Sequence, residues 1–290
     1  MKDNFPLKKL DFNALFIVSD LHLGDGGRRD NFHYFKNKTP FLEFCDFVKE
    51  TKRSHLIILG DLIDMWQFNF SKVVYKNFEL LKKLSSLNPT YVVGNHEIDL
   101  KYFCELKIFS FKLFDNLSFP FYLKINKKKV LFLHGHELDR YNSPENPGWG
   151  RVFNIIAGLI EDKHKRPVIK KGVLIEERLE EWLSKLEVQA SAVKYLKKLL
   201  PVFKRRYFKF LTPLQNPLKA KNHRRLMRKL KTQLVCGHTH RAGFYKNWYF
   251  NTGCWNYNKN TFIKIYPDGQ IFLVLWKGKE IILESSTLSS

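Results

Sequence analysis

The chain has 290 residues, of which 44% are hydrophobic and 15% aromatic, so it can bury a substantial core and is not a disordered protein. Fifty Lys and Arg residues against 28 Asp and Glu residues give a net charge of +22, which favours an anionic partner: nucleic acid, a membrane surface or a phosphorylated metabolite. The 4 cysteines form no CxxC pair, and no apolar run is long enough for a signal peptide or a membrane-spanning helix. We therefore expect a cytoplasmic protein with reduced thiols.

Five short apolar runs, each followed by a polar cluster, recur along the chain. The runs predict buried strands, and the clusters that follow them are SDLH at 19–22, GDLID at 60–64, GNHE at 94–97, HGHE at 134–137 and GHTH at 237–240. Helix-like stretches separate the early runs, so we predict an α/β fold. In such folds ligands gather beyond the carboxyl ends of the strands, which is where every cluster lies.

Two of the intervening stretches have the spacing of amphipathic helices. Thr39-Pro40 predicts the start of one helix, whose buried face would consist of Phe41, Phe44, Cys45 and Val48. Ser71 predicts the start of another, with Val74, Phe78 and Leu81 facing inward. After residue 245, TFIKIY and IFLVLW flank a Pro-Asp-Gly turn and predict a hairpin, which makes the sheet mixed or adds a second sheet.

The donors at the five strand ends together predict a metal site for two divalent ions. Taken singly, Asp20 or Asp61 could equally well be a helix cap, and a lone His is more often a core residue than a ligand. The metal reading is favoured because all of the donors fall at equivalent strand ends. They are Asp20, His22, Asp61, Asn95, His134, His238 and His240. Alternate residues of an extended segment point to the same side, so Asp20 with His22, and likewise the two histidines of GHTH, can each present two donors to one place. Asp61 can bridge two ions because a carboxylate has two oxygens. Oxygen and nitrogen donors of this kind accept Mn²⁺, Fe²⁺, Zn²⁺ or Co²⁺.

Two cations roughly 3.5–4 Å apart lower the pKa of a shared water toward about 7 and neutralise oxygens on phosphorus during in-line attack. His96 follows Asn95 directly and is placed to donate a proton to a leaving oxygen. Asp64 is either an acceptor for a ligand histidine or a turn carboxylate. His136 either touches substrate or metal, or supports the ligands from behind.

These five motifs resemble the pattern of the calcineurin-like metallophosphoesterase superfamily, which reads DxH, GDxxD, GNH(D/E), a later His and GHxH. The resemblance covers roughly 12–138 and 232–276 and implies a four-layer α/β/β/α sandwich with a di-metal centre, often of manganese. It implies that one ion takes Asp20, His22, Asp61 and His240. It implies that the other takes Asp61, Asn95, His134 and His238, and that His96 is the catalytic histidine.

Composition divides the chain into a metallophosphoesterase domain, 1–138 plus 232–290, and a strongly basic insert, 139–231. The insert holds 23 Lys and Arg against 9 Asp and Glu, a net +14, and its helical spacing of Leu residues predicts helices. Residues 188–231 contain 14 basic and no acidic residues, with aromatic residues between the cations Lys204, Arg205, Arg206 and Lys209. A basic stretch interleaved with Phe and Leu is typical of a segment at a membrane interface, although a solvated helical hairpin is the alternative.

A closer resemblance is to the UDP-2,3-diacylglucosamine pyrophosphohydrolase branch, through SDLHLG, LGDLIDMW, GNHE and LFLHGHELD followed by a helical insert. Those peripheral membrane enzymes of lipid A synthesis release UMP and an acylated sugar 1-phosphate, and their insert cradles acyl chains. The resemblance therefore implies an enzyme on the inner membrane. The chain departs from that branch at His96 and His136, where the well-known members carry Arg and Asp. A nuclease or nucleotide phosphodiesterase is the alternative, and a non-catalytic adaptor is disfavoured by the complete donor set.

Overall fold

The computed structural model describes residues 5–27, 29–100, 117–138 and 232–288. Within these ranges the strands are β1 (Leu7–Lys8), β2 (Ala14–Val18), β3 (Ser54–Leu59), β4 (Thr90–Val92), β5 (Leu117–Ser118), β6 (Phe121–Ile125), β7 (Lys128–Phe132), β8 (Gln233–Cys236), β9 (Gly243–Tyr245), β10 (Tyr249–Asn251), β11 (Thr261–Ile265), β12 (Gln270–Trp276) and β13 (Glu280–Thr287). The helices are α1 (Asn31–Tyr34), α2 (Lys38–Glu50), α3 (Phe70–Lys76) and α4 (Phe78–Ser86), with a 3₁₀ turn at His136–Leu138.

The strands form two mixed sheets. One has seven strands in the order β13-β12-β11-β2-β3-β4-β5, in which β2, β3 and β4 are parallel neighbours. The other has six strands in the order β1-β6-β7-β8-β10-β9, in which β7, β8 and β10 are parallel neighbours. The predicted α/β class is confirmed, and so is the predicted hairpin, which is formed by β11 and β12. Of the two predicted alternatives, a mixed sheet or a second sheet, the described residues show both.

The two sheets pack face to face over a continuous apolar core. Because side chains alternate along a strand, one face of each sheet meets the other sheet. The inner faces contribute, among others, Leu15, Ile17, Ile57, Phe121, Phe132 and Val235. The outer face of the seven-stranded sheet packs against α2 and α4. The part of the chain that the structure describes thus supplies a helical layer and both sheets of the predicted sandwich.

Helix α2 confirms the predicted buried face, since the four predicted residues are the four that it buries, but it begins at Lys38 after an Asn37 cap and not at Thr39-Pro40. The prediction for the next helix is partly wrong. Its N-cap is Asn69, which accepts from the Ser71 N–H, and α3 stops at Asn77, so Phe78 begins α4 and is 46% exposed. Val74 is half-buried and packs against the core and Leu81 is buried in it, as predicted, while the fully buried Val73 was not predicted. The buried Asn77 amide causes the break, because it donates to the carbonyls of Val73 and Gly24.

The predicted basic insert, 139–231, lies outside the described residues, and with it Lys204, Arg205, Arg206 and Lys209. The fourth layer of the sandwich and the division into domain and insert therefore stay predictions. No helix in the described ranges combines the length and apolarity needed to cross a bilayer.

Candidate metal centre

The five polar clusters meet at one rim of the two sheets. Strands β2, β3 and β4 run parallel and end at Val18, Leu59 and Val92, within one residue of the first three clusters. In the facing sheet β7 and β8 also run parallel and end before HGHE and GHTH. Because neighbouring parallel strands carry their carboxyl ends to the same edge, residues that are far apart in sequence become neighbours here. The Gly237 N–H donates to the His134 carbonyl at 2.8 Å and joins the last two clusters directly.

The sequence predicted extended strand-end segments, in which alternate residues point to the same side. The structure shows that these segments are not extended. The backbone is left-handed at five of the predicted ligands, with φ between 49° and 70°: Asp20, His22, Asp61, His238 and His240. The segments wind against each other instead, and the N–H groups of Asp20 and His22 donate to the carbonyls of Gly60 and Asp61. Left-handed backbone is costly for residues with a side chain and is concentrated at functional sites. As a result, His238 and His240 point to different donor groups.

The first donor group consists of Asp20, His22 and His240. The Nε2 atoms of His22 and His240 lie 3.0 Å apart, and His240 Nε2 lies 3.2 Å from Asp20 Oδ1. The other carboxylate oxygen, Asp20 Oδ2, accepts from the Ser19 hydroxyl and from the His238 N–H. Backbone and serine therefore fix the carboxylate so that its remaining oxygen faces the two imidazoles.

The second donor group consists of Asp61, His134 and His238. His134 Nε2 lies 3.2 Å from Asp61 Oδ2 and 3.0 Å from Asn95 Oδ1. His134 Nδ1 donates to the Leu59 carbonyl at 2.6 Å, which turns Nε2 toward the centre. A metal-binding histidine has its other nitrogen held in this way, because that contact sets both the tautomer and the ring orientation.

Asp61 lies between the two groups. Its Oδ2 is 3.2 Å from His134 Nε2 and 3.7 Å from His22 Nε2, and the side chain is buried. Burial opposes its ionisation, but the facing imidazoles of His134 and His96 hold the pKa of Asp61 well below its ordinary value. Burial likewise opposes ionisation of Asp20, yet His240 and His22 hold its pKa low. Two buried carboxylates among converging imidazoles form a nitrogen and oxygen donor set that fits two divalent ions.

His96 is not among the predicted ligands, although with His22 and Asp61 it forms a third group of candidate donors. Its Nδ1 lies 2.9 Å from Asp64 Oδ1, and its Nε2 lies 3.9 Å from Asp61 Oδ2. Burial lowers the pKa of His96, but the carboxylates of Asp61 and Asp64 outweigh burial and raise it to about 9. The ring therefore keeps a proton at neutral pH in the ion-free protein. Its side chain is still 11% exposed, so a substrate can reach it.

Asp64 contacts His96, and not a predicted ligand histidine as one reading of the sequence held. Its Oδ1 also accepts from the N–H groups of Trp66 and Gln67, so the alternative reading as a turn carboxylate describes part of its role.

His136 is buried with its ring 5.3 Å from that of His134 and 6.4 Å from that of His238. Burial lowers the pKa of His136 to about 4, so the ring beside His134 and His238 is neutral.

Two residues that shape the centre were missed from the sequence. Glu97 is fully buried and its Oε1 accepts from the Gly94 N–H at 2.9 Å; burial and the neighbouring Asp61 raise its pKa to about 8. Its position inside GNHE was a signal that could have been used. Asn251 donates to the Gly237 carbonyl at 2.8 Å and to Thr239 Oγ1 at 3.2 Å, which holds the loop of GHTH. Asn251 lies outside every motif, so nothing in the sequence pointed to it.

Comparison with known proteins identifies one matching family and several solved structures to which the chain is similar. The family described as calcineurin-like phosphoesterase matches residues 15–242. A dimetal phosphatase from Danio rerio is 15% identical and aligns over 97% of this chain and 100% of its own, with a TM-score of 0.47. A protein assigned as a diadenosine tetraphosphatase is 14% identical over 94% and 98% of the two chains, with a TM-score of 0.40. The calcineurin-like phosphoesterase YfkN from Bacillus subtilis is 11% identical over 94% and 88%, with a TM-score of 0.32. Among curated proteins, none matches the sequence.

Proposed function

The chain belongs to the calcineurin-like phosphoesterase family, and we propose that within it the chain hydrolyses a UDP-2,3-diacylglucosamine-like lipid nucleotide. Membership makes it a metal-dependent hydrolase of phosphate esters. The proposed reaction breaks the pyrophosphate bond, or a phosphodiester bond in a related substrate. Its products would be UMP and the acylated sugar 1-phosphate.

One observation carries the reaction class: the donor groups converge on Asp61 with the His96 imidazole beside them. We propose that Asp20, His22, Asp61 and His240 hold one divalent ion, and that Asp61, Asn95, His134 and His238 hold the other. Manganese is the proposed metal, although the donors also suit Fe²⁺, Zn²⁺ or Co²⁺. When bound, such a pair supplies an activated water and offsets the negative charge of the phosphoryl group.

The protein's own part of the chemistry centres on His96. Asp64 accepts from His96 Nδ1, which leaves Nε2 as the nitrogen directed toward Asp61 and the donor groups. A protonated Nε2 can hydrogen-bond to the leaving oxygen and transfer its proton as the phosphorus–oxygen bond breaks. The buried Leu59 carbonyl and Ser19 hydroxyl act earlier, by fixing His134 and Asp20 before any substrate arrives.

The lipid substrate is supported by sequence outside the metal site. The insert, 139–231, follows the HGHE cluster directly, so the described chain runs into it from the metal rim; it ends before the amino end of β8, one strand length from GHTH. Its acid-free stretch with Lys204, Arg205, Arg206 and Lys209 suits an anionic leaflet, where each cation contributes about 1 kcal/mol. We propose that the enzyme is cytoplasmic and binds peripherally to the inner membrane.

A nuclease or nucleotide phosphodiesterase is the second candidate. Two observations favour it: Phe and Tyr alternate with Lys and Arg in the insert, as in surfaces that track a single strand, and His96 replaces the Arg of the lipid branch. Nucleic acid would then be the anionic partner in place of the membrane, and its binding would weaken steeply with salt.

The deciding assay is hydrolysis by the purified full-length chain with Mn²⁺. UDP-2,3-diacylglucosamine in mixed micelles, single-stranded DNA and RNA are supplied in separate reactions, and UMP and nucleotides are followed by chromatography. Release of UMP, lost in His96→Ala, is the expected result. Cleavage of nucleic acid alone would reject the lipid substrate in favour of the second candidate.

A further inference from the structure

The indole of Trp66 lies flat against the imidazole of His96. The ring centroids are 4.1 Å apart and the planes differ by 22°, which is a stacked arrangement. The His22 ring meets the same imidazole edge-on, at 4.5 Å and 80°. His96 is therefore held by Trp66 on a face and by Asp64 at Nδ1.

One carboxylate oxygen connects the two contacts. Asp64 Oδ1 accepts from His96 Nδ1 at 2.9 Å and from the Trp66 N–H at 3.1 Å. The same atom that aims the imidazole thus anchors the backbone that carries the indole. The turn after GDLID and the motif GNHE are joined by this shared acceptor together with the stacked rings.

We propose that Trp66 is a positioning residue for the reaction of this site, acting through His96 without touching the reacting atoms. The inference rests on the proposed function, because it assigns His96 the transfer of a proton to the leaving oxygen. Trp66 appears in none of the predicted ligand or catalytic sets.

A hydrogen bond at Nδ1 alone leaves the imidazole free to rock about the axis from Nδ1 to Asp64. A flat aromatic surface against one face removes that freedom, because tilting the ring would drive its atoms into the indole. The Trp66 face thus adds to the Asp64 hydrogen bond and helps to keep Nε2 aimed at the place where the leaving oxygen must lie. A displacement of about 1 Å at such a group can cost about 100-fold in rate.

The half-buried Trp66 could instead serve only to fill space. A space-filling role predicts a loss of stability, whereas a positioning role predicts a loss of turnover that depends on His96. The two roles separate in a double-mutant cycle, because a residue that acts through His96 has nothing left to act on once His96 is removed.

The test uses the full-length chain loaded with Mn²⁺ and the soluble diester bis(p-nitrophenyl) phosphate. Trp66→Ala, His96→Ala and the double variant are compared with Trp66→Phe, which keeps a flat ring at that position. Trp248→Ala is the matched control, since that half-buried indole packs against Tyr245 and Tyr249 on the other sheet. Metal content and melting temperature are measured for every variant.

We expect Trp66→Ala to lower kcat on the order of 10- to 100-fold with little change in KM or metal content. Trp66→Phe should recover most of the rate, and the double variant should be no slower than His96→Ala. An equal loss in the presence and absence of His96, or the same loss in Trp248→Ala, would overturn the inference while leaving the proposed function intact. A wild-type chain that binds Mn²⁺ but never cleaves the diester would count against the proposed function itself.

Discussion

Asp64 Oδ1 lies 2.9 Å from His96 Nδ1, and this single contact decides which imidazole nitrogen faces the metal centre. Because Nδ1 is engaged, Nε2 is the nitrogen left to meet a substrate, and it lies 3.9 Å from Asp61 Oδ2. None of the predicted ligand atoms belongs to His96. We therefore expect that metal binding and proton transfer can be separated by mutation.

Removing the imidazole should leave the metal in place and slow the reaction. We expect His96→Ala to retain two Mn²⁺ per chain by elemental analysis and to lower turnover by ~10²–10⁴, the usual effect of losing an acid–base group. His55→Ala is the matched control, because that imidazole contacts Thr90 Oγ1 near the start of β3, at the opposite end of the strand from the centre. Loss of metal in His96→Ala would show that the ring is a ligand.

The position of Asp61 between the two donor groups predicts a different result. We expect Asp61→Ala to lose both ions, because Asp61 belongs to both proposed ligand sets and its Oδ2 faces His22 and His134. Metal per chain after gel filtration is the measurement, with the exposed Asp268→Ala as a control for removal of a carboxylate. Two ions still bound to Asp61→Ala would mean that Asp61 does not bridge.

The sequence was enough to predict that the metal-binding residues meet at one place, because they follow strands that run parallel to each other. Asp20, Asp61 and Asn95 each follow a buried apolar run, and parallel neighbours must end at the same edge. Helix α2 was also predictable from the sequence, because its four buried residues repeat at helical spacing.

What could not be predicted depends on tertiary hydrogen bonds. The left-handed backbone at Asp20 and Asp61 is stabilised by bonds between separate strand-end segments, which local propensity does not contain. The break at Asn77 depends on the distant Gly24 carbonyl. Strand β13, whose sequence EIILESST lacks clean alternation, forms because it can pair with β12.

The motifs GNHE and GDLID approach each other so closely at Gly94 that a side chain there should disturb Asp61. A Cβ added there would lie 2.1 Å from Asp61 Oδ1 and 2.3 Å from the Asp61 backbone nitrogen, so the carboxylate or the backbone must move. We expect Gly94→Ala to weaken Mn²⁺ binding and activity together, measured by titration and diester hydrolysis. Gly278→Ala is the control: it sits at φ +70° with no atom within 4 Å, so it should affect stability but not metal binding. Unchanged metal affinity in Gly94→Ala would contradict the predicted ligand role of Asp61.

Burial of neutral His136 predicts acid sensitivity in the metal-free protein. Its folded pKa of about 4 lies below the ordinary value of 6.5, so the unfolded chain binds the proton first as pH falls. The resulting stability is complete above pH 6.5 and is lost as pH falls toward 4, by about 3 kcal/mol. We expect urea denaturation of His136→Gln to show a flatter pH dependence than wild type over that window, in EDTA. Identical slopes would show that His136 is solvated in the folded state.

The charge of the insert gives a prediction about membranes. We expect replacement of four of its cations by Gln to release the protein from anionic liposomes without changing hydrolysis of a soluble diester; these are Lys204, Arg205, Arg206 and Lys209. Interfacial attraction depends on cations close to apolar side chains that enter the headgroup region, and the insert places Phe203, Phe208 and Phe210 among them.

Net charge alone would also draw a chain of +22 to an anionic surface, so the location of the lost charges must be tested. The β6–β7 hairpin offers a matched control, because it carries four lysines that lie outside the insert: Lys124, Lys127, Lys128 and Lys129. Their replacement by Gln removes the same charge but no neighbouring apolar anchor. We expect the hairpin variant to co-sediment with liposomes nearly as wild type does. Equal release of both variants would reduce the membrane contact to non-specific attraction, and it would leave the insert without a special role there.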